Sequence, residues 1–174
     1  MSSPRKALIL DVDGVVSPVH GNTAWGDEVI AGHVFGPVAV SPAMCERLDL
    51  LGHAADLGCW WLPSWSAEMR ARMDPFPGRG WPAIAEEPNA STIGRTWWKV
   101  TAVEAWLDRH PATRALAWCD DQLRGGRPSA VRRRLGDRGL EPLLLSPRTS
   151  LGLTPAHLDL LEAWAYDRRP PRHT

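Results

Sequence analysis

The run Ala7-Leu8-Ile9-Leu10, followed directly by Asp11-Val12-Asp13-Gly14, constrains the fold of this chain more than any other stretch. Three aliphatics and an alanine read as a buried strand, and that strand ends abruptly in two acids one residue apart. Side chains two positions apart in an extended segment lie on the same side, so Asp11 and Asp13 are expected to point together. A positive partner should face them.

Behind this strand the chain alternates strand-like and helix-like segments, the pattern that builds a parallel sheet covered on both faces. Residues 17–40 are rich in glycine and proline with short β-type pieces, and read as an irregular loop holding a small hairpin. Ser41-Pro42 suits an N-cap and first turn, with Met44, Leu48, Leu51 and Ala55 recurring on one helical face until Gly58. Residues 59–65 read as the second buried strand, 66–73 as a short helix, and the Pro- and Gly-rich run over 74–98 as a long loop. Over 99–110, Val100, Val103, Trp106 and Leu107 form one helical stripe that Pro111 closes. The third strand, 115–119, ends like the first in paired acids, Asp120-Asp121. A basic loop and helix over 124–138, a fourth strand over 142–145 and a last helix capped by Thr154-Pro155 complete the pattern. The expected architecture is a three-layer α/β/α Rossmann-like parallel sheet with minimal or no cap. It is expected as one domain over residues 1–166, with a flexible tail over 167–174.

The 20 basic and 20 acidic residues balance, so net charge argues for neither a nucleic-acid nor a membrane partner. Cys45, Cys59 and Cys119 are odd in number and widely spaced, which suits reduced core residues rather than a disulfide framework or a zinc pattern. The first apolar run is too short for a signal peptide or a membrane span, and a soluble cytoplasmic protein is expected. The ten tryptophans read mainly as core filling, with a minority walling a pocket.

In open α/β sheets ligands bind beyond the carboxyl ends of the strands, near the point where strand order reverses. Those ends carry Asp11 and Asp13, then Ser64, then Asp120 and Asp121, and Lys99 stands at the mouth of the helix before the third strand. Several carboxylates gathered in one crevice repel one another unless a hard cation supplies the missing charge. Magnesium fits best, because it prefers oxygen ligands and is commonly shared between carboxylates and a substrate phosphate. Asp11, Asp13, Asp120 and Asp121 are the candidate ligands. Gly14 would let main chain approach the phosphate, and Val15 belongs in the core.

The segments LILDVDGVV, CWWLPS, TWWKV and LAWCDD, in this order, resemble the four motifs of the haloacid dehalogenase-like (HAD) superfamily. The resemblance implies that Asp11 is a nucleophile, Asp13 an acid/base and Ser64 a donor to a phosphate oxygen. It implies that the Lys99 ammonium offsets charge on nucleophile and phosphate, that Asp120 is a metal ligand, and that Asp121 is a ligand or its neighbour. The implied activity is magnesium-dependent hydrolysis of phosphomonoesters through an aspartyl phosphate. More narrowly, WWK, Trp65 after Ser64, WCDDQ and GLTPAHLDLLEAW look like a small HAD branch that includes phosphatase-like modules of RNA-repair proteins. Pro63 departs from the Ser or Thr expected before Ser64.

Plainer readings stand beside these. Ser64 can cap a helix, Lys99 can sit on a solvated face, and Asp121 can cap or support rather than ligate. The arginines at 124, 127, 132, 133, 134 and 138 can track a phosphate backbone or simply coat a helix, and Arg124 is near enough to Asp121 to reach the pocket. His20 and His33 are the two histidines placed for substrate contact. Two rival functions are a phosphate-binding or regulatory module without turnover and a phosphatase for 3′ or 5′ nucleic-acid ends. Dehalogenation needs neither metal nor Asp13. Residues 17–40 and 74–98 are each too short for a lid, so the open site admits a large phosphorylated substrate unless a second subunit closes it over a small one. No membrane partner is implied, and the oligomeric state is open.

Overall fold

A computed structural model of the chain describes residues 4–85 and 97–167. The elements run β1 (Lys6–Leu10), β2 (Val29–His33), β3 (Pro37–Val40), α1 (Pro42–Leu51), β4 (Leu57–Trp61), α2 (Ala67–Ala71), α3 (Trp98–Arg109), β5 (Ala115–Cys119), α4 (Arg127–Gly136), β6 (Leu143–Leu145) and α5 (Pro155–Ala165). Four of the strands make one parallel sheet in the order β4-β1-β5-β6, while β2 and β3 pair antiparallel as a separate hairpin. The sequences KALIL, LGCWW and ALAWC are apolar at successive positions, which suits strands buried on both faces.

Alternate strand residues feed two cores. Leu8, Leu10, Cys59, Trp61, Ala117 and Cys119 face one side, where Met44, Leu48 and Leu51 of α1 and Leu158 and Leu161 of α5 pack on them. Ala7, Ile9, Trp60, Leu116 and Trp118 face the other, against Val100, Val103 and Trp106 of α3 and Val131 and Leu135 of α4. The outcome is the expected three-layer Rossmann-like arrangement. Tryptophans do much of the filling: Trp97 stacks on Trp118 at 5.1 Å and Trp60 meets Trp106 edge-on at 4.6 Å. All three cysteines are free and buried, and burial pushes the Cys45 and Cys59 thiols up to about 12. On the second face Arg134 grips the Glu104 carboxylate and Arg138 bonds Asp108 at 2.7 Å, tying α4 and the turn after it to α3.

Two boundaries depart from expectation by more than two residues. α1 stops at Leu51, where the Gly52 N–H closes on the Leu48 carbonyl; Ala55 lies beyond it and Gly58 sits inside β4. The strand must begin by Leu57 to pair with Lys6 and bring Trp61 level with Leu10. β4 in turn ends at Trp61 rather than near residue 65, because after Leu62 donates to the Leu10 carbonyl (2.8 Å) comes Pro63, which has no N–H for the ladder. Residues 86–96 of the expected long loop and the tail from residue 168 lie outside the described residues. Among the described residues no helix is long and apolar enough to cross a membrane.

The topology marks one place on the sheet. From β1 the chain moves outward to β4, and α3 then carries it back across β1 to β5 on the other side. Strand order therefore reverses between β1 and β5, where a parallel sheet opens a crevice at its carboxyl edge.

Candidate active site

Register sets the centre of this crevice. Leu10 pairs with Cys119, so the next residues, Asp11 and Asp120, emerge side by side. Their backbones stay in the ladder: Asp11 N–H donates to the Cys119 carbonyl (3.0 Å) and Asp120 N–H to the Leu145 carbonyl (3.1 Å). Lys99, in the first turn of α3, donates from its ammonium to Asp120 at 2.7 Å and to Asp11 in a closer contact still. The remaining carboxylate oxygens are met by main chain, Val12 N–H on Asp11 (2.7 Å) and Gln122 N–H on Asp120 (2.8 Å).

Burial governs the electrostatics, since Asp11, Lys99 and Asp120 are 3%, 2% and 0% exposed. Desolvation pushes Asp11 up to about 7, with Lys99 opposing the rise and Asp120 adding to it. Asp120 is likewise raised by burial against the pull of Lys99. Burial draws Lys99 down, yet Asp11 and Asp120 together outweigh it, and the ammonium ends above its ordinary value.

Asp121 completes the cluster. Asp11, Asp120 and Asp121 each offer an oxygen, all within 4.8 Å of one another. The Lys99 ammonium and, at Asp121, the Arg124 guanidinium still leave the three carboxylates with one negative charge in excess, and such a donor set fits a hard divalent cation. Asp121 is held from the far side, its Oδ2 accepting from the Thr149 hydroxyl (2.6 Å) and the Arg124 guanidinium (3.0 Å). Arg124 also donates from Nε to the Asp121 carbonyl (2.6 Å). Gly14 has φ +68°, and a Cβ there would lie 2.7 Å from the Asp121 carboxylate. Glycine is thus required for a reason the sequence does not suggest: Asp121 occupies the space.

Thr149 belongs to a loop after β6 that is sewn to the loop after β1. Val19 N–H donates to the Thr149 carbonyl (2.8 Å), Leu153 N–H to the Val15 carbonyl (2.7 Å) and the Trp25 indole to the Leu153 carbonyl (2.7 Å). The fit is close: a Cβ on Gly152 would meet the Val15 carbonyl oxygen at 2.6 Å.

Asp13 stands apart from the three converging carboxylates. The main chain turns at Gly14, whose N–H bonds the Ser17 carbonyl at 2.7 Å, so strand alternation does not carry past Asp11. The Asp13 carboxylate accepts instead from the Trp65 indole (2.9 Å) and the Ser64 hydroxyl (3.2 Å). Asp13 is half-buried and Ser64 exposed, and both border a groove of about 1080 Å³ that His20 also lines. His33 is exposed on β2, outside that lining.

The arginine run divides by task. Arg124 reaches Asp121, Arg127 lies 4.9 Å from the Trp97 ring centre, Arg134 and Arg138 serve packing, and Arg132 and Arg133 are exposed. Sequence reasoning missed Thr149, which no charge or motif marks. It noted Trp65 only by its position, not as a donor to Asp13.

A family model described as the HAD domain in Swiss Army Knife RNA repair proteins matches residues 7–158. No curated protein and no solved structure matches the chain.

Proposed function

The chain belongs to the family of HAD domains found in Swiss Army Knife RNA repair proteins, and from that premise we propose a magnesium-dependent phosphomonoester hydrolase acting through an aspartyl phosphate on Asp11. The observation that carries the reading is the buried Asp11–Lys99–Asp120 contact at the point where strand order reverses.

In the first half-reaction an Asp11 carboxylate oxygen attacks phosphorus while the bond to the leaving oxygen breaks. Asp13 gives its proton to that leaving oxygen. In the second, Asp13 takes a proton from the water that attacks the phosphorus of the aspartyl phosphate, releasing inorganic phosphate and regenerating Asp11. The Val12 N–H and the Lys99 ammonium fix the orientation of the Asp11 carboxylate. Trp65 and Ser64 hold Asp13 at the groove mouth, and the exposed Ser64 hydroxyl is free to turn to a phosphate oxygen. Asp11, Asp120 and Asp121 would hold the magnesium, whose charge offsets that of the phosphoryl oxygens. Asp13 is proposed as acid/base, and Gly14 serves the phosphate site by leaving room for Asp121. A cytoplasmic setting fits three unpaired, buried thiols.

The test is phosphate release, with magnesium, from nucleotides, sugar phosphates, phosphopeptides and oligonucleotide ends. At least one should be hydrolysed, and Asp11→Asn should abolish turnover. Failure of the unaltered protein on every member would leave the phosphate-binding module in its place. A second reading, processing of phosphorylated nucleic-acid ends, is favoured by the RNA-repair setting of the family and by exposed Arg132 and Arg133 on α4. Binding of a 3′- or 5′-phosphorylated oligonucleotide should then weaken steeply with salt. A flat response counts against it.

A further inference from the structure

We infer that the groove beside Asp13 receives the alcohol portion of the substrate, and that this portion is uncharged, about the size of a nucleoside, and apolar on one flat face. The inference rests on the hydrolase reading above and narrows its substrate.

Position comes first. If Asp13 protonates the leaving oxygen, the group attached to that oxygen must lie on Asp13's side of the centre, which is where the groove opens between Ser64, Trp65 and the hairpin β2–β3. Its volume of about 1080 Å³ is at the upper end of small-molecule sites, which run to roughly 1,000 Å³.

The hairpin wall is unusual in what it exposes. Phe35 is fully exposed, with Ile30 at 54% and Val29 at 39%. Phe35 also sits at φ +56°, a left-handed conformation that bulky residues rarely adopt. The hairpin thus presents a bare aromatic side chain in the groove lining, a surface that apolar contact with a ligand would cover.

Charge then selects the class. Asp13 and Glu28 are the acids of the lining, Glu28 held by the Thr23 N–H at 2.8 Å, and His20 is its one basic side chain; no Lys or Arg lines it among the described residues. Of the basic run, Arg124 sits beside Asp121 and Arg127, Arg132, Arg133 and Arg134 belong to α4, none of them in the lining; Arg70 donates to the Trp65 carbonyl (2.6 Å) from behind the groove wall without lining it. A polyanionic leaving group in the groove would meet two carboxylates and no lysine or arginine of the lining, whereas a neutral one meets no such penalty.

The experiment compares KM for 4-nitrophenyl phosphate, adenosine 5′-monophosphate, a sugar bisphosphate and a 5′-phosphorylated oligonucleotide, each relative to acetyl phosphate, whose leaving group is the smallest of the set and carries no ring. The two neutral leaving groups should give the lowest KM, with little salt dependence. Phe35→Ala should raise the ratio of KM for 4-nitrophenyl phosphate to KM for acetyl phosphate about tenfold. Ile30→Lys should shift preference toward the bisphosphate. Unchanged ratios in both variants would overturn the assignment of the groove. A lower, steeply salt-dependent KM for the oligonucleotide than for the mononucleotide would overturn the uncharged class and favour a nucleic-acid end. If acetyl phosphate and every other substrate fail, the hydrolase reading itself falls and takes the inference with it, a result distinct from the other two.

Discussion

Lys99 sets the charge balance between Asp11 and Asp120, because among the described residues its ammonium alone contacts both buried carboxylates. Lys99→Met leaves Asp11 and Asp120 facing each other unpaired. Breaking a buried pair in this way costs about 3–5 kcal/mol, and urea unfolding in EDTA at neutral pH should register a loss of that order. Turnover should fall by at least about 100-fold. An unchanged urea midpoint would show that Lys99 does not offset the carboxylates. Asp11 adds a pH signature. Its carboxyl is pushed from 3.8 up to about 7 in the fold, so between those values the native state holds a proton that the unfolded chain has released. Folding is favoured by that proton, and the Asp11 contribution to stability therefore declines as pH rises through the window. Urea midpoints in EDTA should fall less steeply across it in Asp11→Asn than in the unaltered protein; parallel slopes would contradict the shift. Each of these residues alone has a plain structural use; they are legible in the sequence because acids and a lysine recur together at successive strand and helix ends. Thr149 is not, since an uncharged hydroxyl acquires its task only when a distant loop folds against Asp121.

At the scale of elements, starts were more legible than ends. Ser41-Pro42 and Thr154-Pro155 announce α1 and α5 chemically, and both cap side chains accept from N–H groups of the first turn, Ser41 from Met44 at 3.0 Å and Thr154 from His157 at 3.3 Å. Ser41 is wholly buried and remote in role from the carboxylate cluster, so Ser41→Ala should cost about 1 kcal/mol in chemical denaturation while turnover stays unaltered. A neutral substitution would mean the cap adds nothing to α1. The end of α1 escaped because Ala55 keeps the helical spacing, while the pairing of Leu57 with Lys6 demands a turn before it. Such a demand comes from a neighbouring strand and leaves no local mark. The hairpin β2–β3 was legible from its β-type pieces; its bare Phe35 was not, because apolar residues in a sequence are expected to find a core.

For the molecule as a whole, alternation of apolar strands and amphipathic helices foretold the three layers. The order β4-β1-β5-β6 emerges only in the sheet, and with it the meeting of Asp11 and Asp120. A cation bound there should stabilise the entire fold by linkage. Magnesium at 100 times its dissociation constant is worth about 2.7 kcal/mol, read as a rise in Tm with concentration, and Asp120→Asn should abolish the rise. A Tm indifferent to magnesium would argue against a metal in the cluster. The stitching of the loop after β6 onto the loop after β1 has a wider consequence. Every residue of the four superfamily motifs precedes Gln122, yet Asp121 takes its orientation from Thr149, whose own backbone is anchored at Val19. A fragment trimmed after residue 145 would keep all four motifs and forfeit the strut that aims one of their acids, so counting motifs understates how much of the polypeptide the carboxylate cluster needs.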